Sequence, residues 1–245
     1  MPYITVVLNQ KGGIGKSMIV VQLAAVYAEM LANGGTKEPS VAVVSIDPQG
    51  TSIEWTEKIE KAGRPVPFRT LDASNNIANL RKLRRAKADI ILIDTPGFLP
   101  LTDDGESIDP LGDGPVGDAL RAVLDIADDV IVPLEPDPAG FKPTRTTIEK
   151  VIKPRGLPYG VVISNWEPRD GKVDLERTQN MVTKQGWSLF NANIRHFRMH
   201  ARALAEGRVC TQYMSNHTAT KAKQDFLSLA LEHQLRRQQN KEGAL

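Results

Sequence analysis

One cysteine, Cys210, stands in 245 residues. A lone thiol closes no internal disulfide and supplies no cysteine-based metal or iron–sulfur ligand set, so the expected role of Cys210 is that of a small buried apolar residue. No apolar run reaches the roughly 18–20 residues that span a bilayer. Met1-Pro2-Tyr3-Ile4 leads straight into structured-looking sequence, with no basic-then-apolar leader, and the expected location is cytoplasmic. Strong net charge is also missing, since 31 Lys/Arg against 29 Asp/Glu leave +2. What is present, 41% hydrophobic and 24% charged residues, excludes disorder and collagen-like structure and fits one compact α/β domain. No internal repeat and no domain-separating linker interrupts residues 1–245.

The small net charge conceals an uneven distribution. Residues 195–241 hold nine Lys/Arg against Glu206, Asp225 and Glu232. Such an excess reads either as a polyanion-facing surface or as a solvated basic helix.

Residues 3–8, 41–46, 90–93, 130–132 and 161–164 are short, continuously apolar runs separated by plausible helices, which is the pattern of parallel strands covered on both faces. Residues 65–70 read as a further strand and 76–87 as a helix. The helix that starts at Lys16 should stop at Asn33-Gly34-Gly35. Residues 98–118, with six acidic residues among glycines and prolines, read as a long acidic loop whose spacing is not that of a calcium-binding loop. The expected fold is an α/β, mostly parallel twisted sheet with helices on both faces.

The most informative stretch is Lys11-Gly12-Gly13-Ile14-Gly15-Lys16-Ser17, between the first strand and the first helix. Glycines let the backbone curl so that its N–H groups face phosphate oxygens, and the helix start adds a favourable dipole. The nucleotide-binding candidates are therefore Gly12, Gly13, Gly15, Lys16, Ser17 and Met18. Lys16 would neutralise the β- and γ-phosphates of ATP, and the Ser17 hydroxyl would ligate Mg²⁺. Ile90-Ile91-Leu92-Ile93-Asp94 is an apolar strand ending in a carboxylate, which puts Asp94 where it can hold the ion's hydration shell.

A strict phosphate loop has glycine where Gln10 stands; here the motif opens with Lys11 instead. KGGxGK[ST] is the deviant Walker A motif, and with it the sequence resembles the ParA/MinD group of P-loop ATPases, from Tyr3 to about Leu235. The resemblance implies that Lys11 acts in trans across an ATP-dependent homodimer. Residues 43–50, ending Ser45-Ile46-Asp47-Pro48-Gln49-Gly50, resemble the family's DxDPQG segment, which implies that Asp47 positions the attacking water. Ser45 replaces the first aspartate of that segment and brings no negative charge, which implies slow hydrolysis or weaker Mg²⁺. Val132-Pro133-Leu134-Glu135-Pro136-Asp137-Pro138 resembles the proline-rich stretch of the small ParF-like partition ATPases. Asn165 ends a later strand at the place where the family contacts adenine.

The first strand begins at residue 3, so the N-terminal helix-turn-helix domain of longer plasmid ParA proteins is not expected. Towards the C-terminus, Arg195 to Arg208 resembles the family's basic residue, short helix and glycine. The implied non-specific DNA contacts are Arg195, Arg198, Arg202, Lys221 and Lys223, since phosphate neutralisation needs only cations. A rival basic patch is residues 81–87. The four histidines, His196, His200, His217 and His233, are expected to add to the polar or DNA-facing surface. Together the resemblance implies a plasmid-partition ATPase, cytoplasmic and nucleoid-associated, whose hydrolysis a ParB-class centromere-binding adaptor stimulates. Two alternatives stand beside it. One is a MinD-like membrane-cycling ATPase, for which residues 238–245 lack a bulky apolar face. The other is a nucleotide-gated DNA clamp with negligible hydrolysis.

Overall fold

The computed structural model describes residues 1–33, 40–98, 109–213 and 217–242. The helix stop at Gly34-Gly35, the acidic residues Asp103, Asp104 and Glu106, and residues 243–245 therefore lie outside the described residues.

The chain alternates strands and helices in order β1 (Tyr3–Val7), α1 (Lys16–Asn33), β2 (Val41–Ser45), α2 (Thr51–Lys61), β3 (Arg69–Asp72), α3 (Ile77–Leu80), β4 (Ile90–Asp94), α4 (Pro115–Leu124), β5 (Asp129–Leu134), α5 (Phe141–Thr146), β6 (Tyr159–Trp166), α6 (Val173–Lys184), β7 (Leu189–Arg195), α7 (Arg198–Glu206) and α8 (His217–Glu242). The strands form one seven-stranded sheet in the order β3-β2-β4-β1-β5-β6-β7, and every pairing is parallel. Successive side chains point to opposite faces, and the sheet accordingly divides two cores. Val7, Val41, Val43, Leu92 and Phe190 pack on one face with α1, α2, α7 and α8. Ile4, Val6, Ile91, Ile93 and Val132 pack on the other with α4 and the α5 segment. That the strands are apolar on both faces is what made them legible as continuous runs.

β1 lies between β4 and β5, so the chain leaves the central strand in opposite directions on its two sides. A parallel sheet opens a crevice at such a point, outside the carboxyl ends of its strands. The loop that follows β1 is the glycine-rich one.

Three local expectations are corrected. Residues 76–87 do not form one helix: α3 passes at Arg81 into a 3₁₀ turn over Arg81–Arg85. Residues 98–118 are not loop throughout, because α4 begins at Pro115; Arg121 of that helix holds Asp109 (2.7 Å) and Asp118 (2.8 Å). The strand expected at 65–70 runs instead over β3, from Arg69. Cys210 is buried, as read from the sequence.

A histidine network ties α8 to the sheet. His233, 1% exposed, bonds Asp129 Oδ2 at 2.7 Å through Nε2 and the Tyr27 hydroxyl at 2.6 Å through Nδ1. Arg237 lies over the Tyr3 ring and Arg236 over Phe190, so both arginines pack on the fold. Gln238, Gln239 and Asn240 of the same helix are exposed and polar. Among the described residues, no helix is long and apolar enough to cross a membrane.

Gly207 closes α7 against α2. Its φ is +58°, and a Cβ there would stand 2.2 Å from the Lys58 carbonyl oxygen. Left-handed backbone and a backbone clash both penalise any side chain. Gly207→Ala is therefore expected to cost about 2 kcal/mol or more, read as a lower urea midpoint by tryptophan fluorescence; an unchanged midpoint would show that α7 does not pack on α2 in this way.

Candidate functional site

The loop after β1 turns sharply because Gly13 (φ +73°) and Gly15 (φ +80°) take left-handed conformations that side-chain-bearing residues rarely adopt. Its entry is fixed by three side chains that the sequence reading passed over. Asn9 donates through Nδ2 to the Pro133 carbonyl (2.7 Å) and to the Thr144 hydroxyl (2.8 Å), while its Oδ1 accepts the Lys11 N–H. The Gln10 N–H is accepted by Thr147 Oγ1 at 2.9 Å. Asn9 ends an apolar run, whereas Thr144 and Thr147 stand in a polar stretch that carries no such signal. On the far side the loop meets Gly97, where a Cβ would come within 3.0 Å of Gln10 O and Gly12 N; glycine there lets the segment after β4 lie against the phosphate loop.

A cleft of about 570 Å³ opens over this loop, lined by Gly12, Gly13, Gly15, Lys16, Ser17, Met18, Asp47, Gln49, Thr95 and Gly97 and floored by Trp55, Phe98, His200 and Leu204. The six loop candidates for nucleotide binding line it, and Asp47 joins them. Lys16 is 6% exposed and its Nζ donates to the Lys11 carbonyl at 3.0 Å. Burial lowers its pKa, against the opposing pull of Asp94 and Asp47. Asp47 Oδ1 accepts the Gln49 N–H at 2.9 Å, which shapes the loop leading into α2.

Asp94, the last residue of β4, has no exposed surface, and neither carboxylate oxygen has a hydrogen-bond partner among the described residues. Burial pushes its pKa up to about 6, assisted by the Asp47 charge and opposed by the Ser52 and Ser17 hydroxyls and by Lys16. A buried carboxylate is stable only when paired, protonated or bound to a cation. An orphaned carboxylate beside a lysine, a serine and a glycine cradle fits a hydrated divalent cation with phosphates: Ser17 would hold the ion, Asp94 its water shell, and Lys16 the phosphate charge.

Lys11 is turned the other way. Its Nζ lies 2.9 Å from Asp137 Oδ2 and 3.5 Å from Glu135 Oε2. Burial works against its charge, but the two carboxylates outweigh this and hold its pKa above the usual lysine value. The proline-rich stretch thus supplies two acids that hold this lysine within its own chain.

Asn165 lies outside the lining of the cleft. It has a left-handed backbone (φ +59°), donates to Glu135 Oε1 at 2.8 Å and shares a 2.6 Å hydrogen bond with His196 Nδ1. Lys11, Glu135, Asn165 and His196 thereby form one line of polar contacts along the carboxyl edge of the sheet.

Beyond His196 lies a groove of about 650 Å³ lined by Arg169, Arg195, His196, Arg198, Arg202, His217 and Lys221, with Glu167 and Glu206. Arg198 and Arg202 are exposed. Arg195 is not a free cation: its guanidinium is bound to Asp225 (2.6 and 3.0 Å) and lies over the Phe197 ring. Lys223 lies outside the groove lining and pairs with Glu29 at 2.6 Å. Both side chains are thus paired within the fold while partly exposed, and Arg195 lines the groove as well. Sequence charge counts missed the pairing because Asp225 and Glu29 lie 30 and 194 residues away. In the rival patch, Arg84 pairs with Asp128 while Arg81, Lys82, Arg85 and Lys87 are exposed, but the patch precedes β4 and so sits at the opposite end of the sheet from the phosphate loop. The histidines also divide. His196 and His217 are exposed and line the groove. His233 is buried in the α8 network, and His200 is buried with its pKa lowered to about 4 by desolvation. His196 precedes α7 and His200 lies within it, so the two do not share a helix face.

No family model matches the chain. Maintenance of carboxysome distribution protein A of Gloeobacter kilaueensis is 29% identical over 232 residues, 94% of this chain and 94% of that protein. The cell division ATPase MinD of Pyrococcus furiosus has the same fold, with a TM-score of 0.66 at 20% identity over 96% of this chain and 99% of MinD. The chain thus has the fold of these proteins, and its phosphate loop resembles that of the ParA/MinD ATPases. A plasmid partition protein of Borrelia burgdorferi B31, solved with AMPPNP, matches with a TM-score of 0.62 at 18% identity, over 95% of this chain and 100% of that one.

The folded-state pKa of Asp94 lies above that of an unfolded chain, so its ionised form costs stability above about pH 6, and that cost fades as pH falls towards 4. Asp94→Asn is expected to stabilise the nucleotide-free protein at pH 7 by on the order of 2 kcal/mol and to make little difference at pH 4.5. Urea unfolding of both proteins at the two pH values checks this; an equal difference at both would contradict the assigned burial cost.

Proposed function

We propose that the chain is a ParA-type ATPase that binds ATP with Mg²⁺ at the glycine cradle and, in the ATP-bound homodimer, binds DNA without sequence preference. Hydrolysis of ATP to ADP and phosphate then ends the DNA-bound state. In this reading Lys16 and Lys11 hold phosphate charge, with Lys11 leaving Glu135 and Asp137 to act on the partner protomer. Asp47 orients the attacking water, and Ser17 and Asp94 serve the metal; Asn165, outside the cleft lining and bonded to Glu135 and His196, is given no contact with the base. Mg²⁺ supplies charge neutralisation between the phosphates.

One observation carries the coupling. Helix α7 serves both sites: His200, Ala201 and Leu204 line the nucleotide cleft, while Arg198 and Arg202 line the basic groove. A helix shared by two sites lets a change at one bias the other, provided the two states differ in affinity. The exposed Arg169, Arg198 and Arg202 and the half-buried Lys221 are the DNA contacts this supports, because phosphate neutralisation needs accessible cations.

The names of two relatives support one class of cargo. The Gloeobacter relative is named for carboxysome distribution and the Borrelia structure for plasmid partition. On that support we assign this chain to the positioning ATPases, cytoplasmic and nucleoid-associated, with hydrolysis stimulated by a cargo-bound adaptor of the ParB kind.

Two variants test the assignment. Lys16→Ala is expected to remove ATP binding and to reduce ATP-dependent DNA affinity about 5–150-fold, measured by nucleotide fluorescence and DNA anisotropy; full DNA affinity in that variant would break the coupling. Asp47→Ala should keep ATP and DNA binding while phosphate release stops, and unchanged phosphate release would remove Asp47 from its role.

A further inference from the structure

Asp94 ends β4 on the sheet face that carries α1 and α2, and the first turns of both helices flank it. Ser17 is the second residue of α1, and Ser52 is the second residue of α2. The cleft residue Thr51 precedes Ser52. Ser52 has no exposed surface, and neither its hydroxyl nor the two oxygens of Asp94 make a hydrogen bond of normal geometry among the described residues, although the hydroxyl stands near enough to Asp94 to oppose the rise in its pKa. A buried hydroxyl without a partner costs free energy. At the second position of α2, Ser52 has no helical carbonyl four residues back to bond, the remedy that Thr56 uses in donating to Ser52 O at 3.0 Å.

Ser45, which stands where the family has aspartate, is placed differently. It lies in register with Asp94 across β2 and β4, but its Oγ accepts the Asp47 N–H at 3.3 Å. Its hydroxyl therefore shapes the loop that carries Asp47.

We infer that Ser52 is a positioning residue for the magnesium site, its hydroxyl donating to Asp94 when Mg²⁺–nucleotide is bound and so orienting the carboxylate towards the metal's water shell. The inference rests on the proposed Mg²⁺–ATP site. It makes the site symmetric, with Ser17 at the start of α1 on the ion itself and Ser52 at the start of α2 on the carboxylate.

The test is a Mg²⁺ titration of the full chain bound to a fluorescent ADP derivative, for wild type, Ser52→Ala and Ser45→Ala. Ser52→Ala is expected to raise the half-saturating Mg²⁺ concentration about fivefold, the loss of one hydrogen bond to a charged group, with nucleotide affinity in EDTA unchanged. Ser45→Ala is expected to stay within about twofold of wild type. A Ser52→Ala protein that titrates like wild type overturns the inference. So does one whose affinity falls equally with and without Mg²⁺, because the serine would then act only in packing. A wild-type protein indifferent to Mg²⁺ would instead overturn the metal site on which the inference rests.

Discussion

The constraint on which the rest depends is the charge of one carboxylate with no exposed surface. Asp94 is held at the end of a central strand, between the starts of two helices, with a lysine beside it and no hydrogen bond to its oxygens. Helix starts favour negative charge, yet burial still dominates and pushes its pKa to about 6. A fold that keeps such a group sacrifices stability in the empty state for a preformed site, the trade-off seen wherever function needs a strained or buried charge. The glycines at 13, 15 and 97 belong to the same arrangement, since each lets backbone come close to where phosphates would sit.

The second organising feature is the carboxyl edge of the parallel sheet. The loops after β1, β5, β6 and β7 meet there, and Lys11, Glu135, Asn165 and His196 connect along it from the phosphate loop to the basic groove. Helix α7 bridges the same two regions. On the proposed function, nucleotide and polyanion are held by neighbouring structures, and Lys11 passes between its own carboxylates and a partner's phosphates.

Much of this was legible in the sequence, and for a physical reason. Strands covered on both faces are continuously apolar, and a phosphate loop needs glycines and lysine at fixed spacing, so β1, β2, β4, β5, β6 and the cradle announced themselves. β7 did not. It is an edge strand in which Asn191, exposed, and the half-buried Asn193 alternate with buried Phe190, Ala192 and Ile194, so no run of apolar residues marks it. The basic excess was also real but misleading in detail. A count along the chain does not show that Arg195 faces Asp225, that Lys223 faces Glu29, or that Arg236 and Arg237 lie on aromatic rings. Pairings across the fold decide which cations remain for a ligand. The same holds for Ser52, an unremarkable helical serine until the fold sets it beside Asp94.

The most direct measurement is a titration of non-specific duplex DNA with the wild-type protein in ADP, in ATP and in a non-hydrolysable ATP analogue, each with Mg²⁺, at two salt concentrations. A nucleotide-gated basic groove predicts binding with ATP or the analogue and little with ADP, weakening steeply as salt rises because counterions are released at each neutralised phosphate. Equal affinity in all three nucleotide states, or none in any, would contradict the account.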